Sequence, residues 1–208
     1  MKGLFITIEG TDGAGKSTQI ELLKKFLENK GYDVVETREP GGTPIGEKIR
    51  DLLLDIENKN MSNETEALLY AAARAQHVYE KIKPEIENGK IIICDRFVDS
   101  SLAYQAYARG ICENMIKDIN KYAVLGIEPD ITLFLCLEPK KGISRKKNAA
   151  QLDRIEQEKI DFHNKVYDGY IKIYNENKSR IKCIDADKSI EEVHKQIITE
   201  VQKVLENL

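Results

Sequence analysis

Paired cysteines are missing from this chain. Cys94, Cys112, Cys136 and Cys183 form no C-x-x-C spacing, which argues against a zinc centre or a disulfide framework. Buried, reduced thiols in a cytoplasmic protein are the expectation. Histidine is scarce: His77, His163 and His194 are scattered through helical stretches, which suits packing or surface roles better than metal binding or catalysis. The net charge of −3 supplies no polycation for nucleic acid or an anionic membrane. No apolar run approaches the roughly 18 residues of a membrane span. The opening "MKGLFITIEG" reaches a charge too early for a signal peptide, so a cytoplasmic location is expected. Repeats, low-complexity segments and Gly/Ser linkers are absent as well.

What is present is ordinary globular composition. The chain has 208 residues, of which 41% are hydrophobic and 32% charged. That length suits one domain over residues 1–208 with a sizeable core. Strand-like runs at Leu4–Glu9, Asp33–Thr37, Lys90–Asp95, Ile131–Leu137 and Ile181–Asp185 alternate with helical patterns. The helical patterns are Ser17–Lys30, Thr43–Asp55, Glu64–Asn88, Glu113–Leu125, Asp153–Asn177 and Ser189–Leu205. Alternation of this kind predicts an α/β fold, a parallel sheet with helices on both faces. Ligands of such sheets sit at the carboxyl ends of the strands, which brings the loops after Glu9, Thr37 and Asp95 into one crevice.

The loop after the first strand reads "IEGTDGAGKST", and Gly10, Gly15, Lys16 and Ser17 fit G-x-x-x-x-G-K-[ST]. Backbone N–H groups of such a loop, here Gly10, Thr11, Asp12, Gly13, Ala14, Gly15, Lys16, Ser17 and Thr18, cradle the phosphates of a nucleoside triphosphate. Lys16 reaches the β/γ-phosphates, Ser17 offers a hydroxyl to Mg²⁺, and the following helix aims its positive end at the anion. Asp95 ends the third strand, where an acid is placed to touch Mg²⁺ or its water. Arg96 follows it, either as a site cation or as half of a helix-capping ion pair. Arg50 lies beyond the turn Pro40–Gly41–Gly42. With Arg96 it would provide two forked cations for a second phosphate. Tyr70 and Arg74 share a helix face, so a ring could stack on a base and a guanidinium could bond its edge. Periodicity alone favours a core tyrosine and a surface arginine. The stretch "PKKGISRKKNAAQLDR" is dense in cations. It is either a plain charged loop or a mobile lid over about 140–154, with Arg145, Lys147 and Arg154 its candidate phosphate ligands.

The blocks "EGTDGAGKST", "REPGGTPIGEKIRDLLL", "LLYAAARAQH", "CDRFVDSSLAYQAYARGI", "PDITLFL" and "LDRIEQEKIDFHNKV" together resemble bacterial thymidylate kinases, over about residues 3 to 195. The resemblance implies a three-layer phosphate-loop NTPase fold with a five-stranded parallel sheet in order 2-3-1-4-5 and a mobile lid. It implies transfer of the ATP γ-phosphate to dTMP with Mg²⁺, in dTTP biosynthesis, by a homodimer. By position, Asp12 matches the acid near the dTMP sugar and phosphate, and Glu39 lies near the acceptor, ahead of a proline whose peptide is strained in many relatives. Arg50 and Arg96 match the dTMP phosphate ligands, Tyr70 the ring on thymine, and Arg74 the reader of its O4. Ser101 and Gln105 match contacts at the N3 edge, and Tyr104 the ring that disfavours a ribose. Lys16, Arg96, Arg145, Arg154 and Asp12 are the expected catalytic set, the two lid arginines on the ground that Gly13 supplies no charge to the phosphates, and the resemblance places "IDADKSIEEV" near the adenine. Gly13 departs from relatives that carry a basic residue there. Two other classes compete. A deoxynucleoside kinase would not need Arg50 and Arg96 for an acceptor phosphate. A nucleotide-gated switch would carry N-K-x-D, whereas the chain has only "NKSR" at 177–180.

Overall fold

The computed structural model describes residues 3–146 and 152–206. Lys147, Ala149 and Ala150 of the expected lid lie outside the described residues. Five strands form one parallel sheet: β1 (Leu4–Glu9), β2 (Val34–Arg38), β3 (Ile91–Asp95), β4 (Ile131–Cys136) and β5 (Ile181–Asp185). Their order is β2-β3-β1-β4-β5, as expected. β1 is central, with Ile6 opposite Ile93 on one side and Ile131 on the other. A central parallel strand is covered on both faces, which explains why β1 is a nearly unbroken apolar run.

Alternation of side chains divides β1 between two cores. Leu4, Ile6 and Ile8 face α1 (Lys16–Asn29) and the last helix, Ile190–Leu205, through Leu23, Leu27, Ile197 and Val201. Phe5 faces the opposite layer, with Val78, Ile82, Ile92 and Phe97. That layer contains α2 (Pro44–Leu54), α3 (Asn63–His77), α4 (Lys83–Glu87), α5 (Val98–Ser101), α6 (Glu113–Ala123), α7 (Pro139–Lys146) and α8 (Ile160–Glu176); Ile190–Leu205 is α9. Local chemistry sets several ends. Thr43 caps α2 by accepting from the Gly46 amide, with Pro44 at the first helical position. Ser189 and Glu192 close a capping box on α9. Among the described residues, no helix is long and apolar enough to cross a membrane.

Five expectations need correction. The run 64–88 is not one regular helix: a π-helical turn, Val78–Ile82, joins α3 to α4. Pro84 explains it, since the ring has no N–H to donate and would meet the carbonyl four residues back. The stretch 98–108, read without an element, is α5 followed by a π-helical segment, Leu102–Ala108. The cationic stretch from 139 begins with a helix, α7 over Pro139–Lys146, rather than a loop. The long helix expected from Asp153 begins at Ile160. Asp153 is the reason: its carboxylate accepts from the Ile155 and Glu156 amides, a turn that competes with helix. The thiols are all free, but only Cys94 is buried; Cys112 and Cys183 are exposed.

Because Ile6 is fully buried at the centre of β1, Ile6→Ala should lower unfolding free energy by about 2–5 kcal/mol. Urea denaturation measures it; a loss below about 1 kcal/mol contradicts this core assignment.

Candidate active site

The carboxyl ends of β1, β2 and β3 open into a cavity of about 400 Å³. The phosphate loop forms one side. Gly15 ends it with φ 93°, the left-handed region, and starts α1; a side chain there would be strained, although the space beside it is open. Gly13 is constrained differently. Its φ is 77°, and a Cβ would lie 2.1 Å from the carbonyl oxygen of Gly142 in α7. A Cβ on Gly142 would in turn meet the Asp12 carbonyl at 2.2 Å. The first helix of the expected lid thus rests on the loop through two glycines. A basic side chain at position 13 has no room in this arrangement.

Lys16 is buried, with its ammonium 3.3 Å from the Gly10 carbonyl, 3.4 Å from that of Thr11 and 4.0 Å from Asp12. Burial and the nearby Arg96 lower its pKa, while Asp95 and Asp12 oppose the shift. Arg96 has φ 70°, uncommon for a side-chain-bearing residue. Its guanidinium donates to Asp12 at 2.8 Å, the Gly10 carbonyl at 2.9 Å and the Tyr170 hydroxyl at 3.1 Å, and it lies over the Tyr104 ring. Asp12 therefore stands between two cations. One carboxylate oxygen of Asp95 is buried with no hydrogen-bond partner, beside the loop that carries Ser17.

The other wall comes from β2, α2 and α3. Arg50 donates to the Pro40 carbonyl, and the Glu39–Pro40 peptide is cis. Tyr70, Ser101, Tyr104 and Gln105 line the same space, and so does Arg145. Arg145 is exposed on α7 and donates to the Ala186 carbonyl at 3.2 and 3.3 Å. That contact joins it to the loop after β5, within "IDADKSIEEV". Thr11 and Ala14 are buried under the loop rather than on its cavity face.

Arg74 and Arg154 lie behind the cavity wall. Arg74 is 2% exposed, so it is no surface arginine. It donates to Glu39 at 2.7 Å, Ser101 at 2.9 Å, Asn120 and the Phe97 carbonyl, which uses four of its five N–H groups. Glu39 also meets His77, whose other ring nitrogen is 2.7 Å from the Thr37 hydroxyl. Arg154 belongs to the Asp153 turn, not to a helix start. It donates to the Leu53 carbonyl and to Glu66, both at 2.8 Å. Glu66 is 1% exposed and also receives Arg109 and Gln105.

The sequence reading passed over Glu9, Arg38 and Glu66. Arg38 lines the cavity and forms a two-point pair with Glu47 at 2.8 and 2.9 Å. Glu9 is fully buried and accepts from the Phe97 amide, Ser100 and Tyr170. An acid closing an otherwise apolar strand was the available signal for Glu9. Glu66, on an amphipathic helix rich in acids, carried none.

A family model described as thymidylate kinase matches residues 8–197. The chain belongs to the thymidylate kinase family. The thymidylate kinase of Thermoanaerobacter sp. (strain X514) is 49% identical over 205 residues, covering 99% of this chain and 100% of the relative. That of Finegoldia magna is 50% identical over 195 residues, covering 94% and 96%. The crystal structure of thymidylate kinase from Ehrlichia chaffeensis aligns with a TM-score of 0.80 at 35% identity, covering 97% of this chain and 99% of that one. The phosphate-loop fold with sheet order 2-3-1-4-5 is thus that of the thymidylate kinases.

Burial and the neighbouring Asp99 push the Glu9 carboxyl up to about 7, against hydrogen bonds that lower it. Between about pH 4.5 and 7 the folded chain then holds a proton that the unfolded chain has released. The stabilising contribution is complete below 4.5 and is lost as pH rises through 7. Relative to wild type, Glu9→Gln should therefore gain in melting temperature between about pH 5 and pH 8. A pH-independent difference in thermal melts contradicts this.

Proposed function

We propose that the chain transfers the γ-phosphate of ATP to dTMP, with dTDP and ADP as products, and that the residues around the cavity divide this work. The observation that carries the reading is the convergence of phosphate-loop Lys16 with Arg50 and Arg96 on one cavity. These three cations suit two phosphorylated ligands, not one, while Arg38 on the same lining is paired with Glu47 and Arg145 comes from α7. The competing nucleoside kinase has no use for Arg50 and Arg96 together.

In this reading the loop amides from Gly10 to Thr18 and Lys16 hold the ATP phosphates. Arg96 and Arg50 hold the dTMP phosphate in line with them, so positioning and electrostatic stabilisation supply the catalysis. Asp12 orients Arg96 and lies beside the acceptor sugar. Arg145 supplies charge beyond Lys16 from α7. Arg154 is the second lid arginine of the proposal, and it reaches the phosphates only by giving up Glu66. Tyr70 stacks on thymine, Ser101 and Gln105 meet its polar edge, and Tyr104 lies under the sugar. Arg74 has one N–H left for thymine O4, and Glu39 holds it in place. Mg²⁺ fits the oxygen-only pair of Ser17 and Asp95, whose unpartnered carboxylate oxygen is free for a metal-bound water. When bound it would neutralise charge on the phosphate oxygens. The whole chain would act as one cytoplasmic domain with its lid. Leu68, Ala72 and Tyr79 are exposed along one helical run, a surface that a second copy would cover in a homodimer.

Phosphate transfer should be measured against thymidine, dTMP and dCMP. Transfer to thymidine but not dTMP would reverse the reading. Cytosine presents a donor where thymine O4 accepts, so dCMP should be used at least about 10-fold less well than dTMP; equal use contradicts the base pocket. Lys16→Ala should fold normally and lose on the order of 10²–10³ in turnover. Near-wild-type turnover would remove Lys16 from the mechanism. Arg145→Ala should lower turnover more than ATP affinity, and retention of more than about half the turnover at saturating substrates refutes its role.

A further inference from the structure

Glu9 lies outside the cavity lining, yet every bond it makes leads to Arg96. It is the last residue of β1 and is fully buried. One carboxylate oxygen accepts the Phe97 amide at 2.7 Å, the peptide immediately after Arg96. The other accepts the hydroxyls of Ser100 at 2.6 Å and Tyr170 at 2.8 Å. Those same two hydroxyls face the Arg96 guanidinium, Tyr170 at 3.1 Å and Ser100 at 3.4 Å. Asp99, the acid whose charge acts on Glu9, is satisfied by Arg180 at 2.7 and 2.9 Å.

We infer that Glu9 is a positioning residue for Arg96, fixing both the left-handed backbone that presents it and the hydroxyls against which its guanidinium rests. The inference rests on the reading of Arg96 as a ligand of the acceptor phosphate. Above about pH 7, where the Glu9 carboxyl is ionised, three donors converge on two oxygens, and only a carboxylate accepts them all without presenting a donor of its own. A glutamine has one acceptor oxygen and an amide that meets a donor. Replacement therefore lets the Phe97 amide or the hydroxyl pair move. Displacement of about 1 Å at a group that orients a substrate is enough for a large loss of rate. ATP is held by the phosphate loop, whose amides Glu9 does not touch, so the loss falls on the acceptor.

The test compares wild type, Glu9→Gln, Tyr170→Phe, Arg96→Ala and the Glu9→Gln/Arg96→Ala double variant. Each is measured for kcat, KM for dTMP, ATP affinity by calorimetry, and melting temperature. Glu9→Gln should lose about 10–100-fold in kcat/KM for dTMP, with ATP affinity changed less than about twofold. Tyr170→Phe keeps its ring stacked on Phe134 and should show the same pattern at about 3–10-fold. In the Arg96→Ala background, Glu9→Gln should add less than about threefold, because the two act through one element. Equal losses for ATP and dTMP, additive losses in the double variant, or unchanged dTMP kinetics beside an impaired Arg96→Ala overturn the inference. If Glu9→Gln does not fold, Tyr170→Phe alone and combined with Arg96→Ala decides on the same criteria. An Arg96→Ala variant with normal dTMP kinetics would instead refute the reading of Arg96 itself, and this inference with it.

Discussion

Charge taken out of water at the carboxyl edge of the sheet has to be balanced inside the chain. Lys16 and Arg96 are like charges in one crevice, each partly stripped of solvent. Left alone they would repel one another and carry a desolvation cost of several kcal/mol each. Asp12 reduces both problems by lying 2.8 Å from one and 4.0 Å from the other. The same requirement recurs one layer out, where Glu39 balances Arg74 and Glu66 balances Arg109 and Arg154. Three acids from three different segments balance five cations here, Asp12 and Glu66 serving two each. The ion pairs therefore tie β1, β2, α3 and the segment after the lid to one geometry. Their contribution is specificity of arrangement more than stability, since a buried pair often only offsets its own desolvation.

The sheet was legible because β1, β3 and β4 are short apolar runs set between helical patterns, and the loop between β1 and α1 carries its chemistry in its spacing. The boundary errors have local causes: Pro84 interrupts the helix around it, and the Asp153 carboxylate captures amides that a helix would have used. The segment Val98–Ala108 was missed for another reason. Asp99, Ser100, Ser101 and Gln105 are all buried there, so the polar residues that normally mark a solvent face lie inside. Periodicity cannot register a helix without a wet side. Arg74 shows the converse. Its spacing from Tyr70 was plain, but its burial depends on Glu39 and Asn120, which are distant in sequence and adjacent only after folding. The resemblance to thymidylate kinases identified the wall of the cavity, while the buried acids behind it, Glu9 and Glu66, carried no signal in periodicity.

The contact between Gly13 and Gly142 has a consequence for how this chain can change. The Gly142 carbonyl closes position 13 and the Asp12 carbonyl closes position 142, because the atom a larger residue would add is already occupied by backbone across the gap. A cation on the phosphate loop and a helix seated against that loop are alternative solutions, and a single substitution cannot pass from one to the other. Replacing Gly13 by arginine would unseat α7 and carry Arg145 away from the cavity before the new side chain had a place to go. The route between the two designs runs through at least two coordinated replacements, with a less capable intermediate between them. A chain that has settled on the glycine pair is held there by geometry, even where either arrangement would serve the same phosphates.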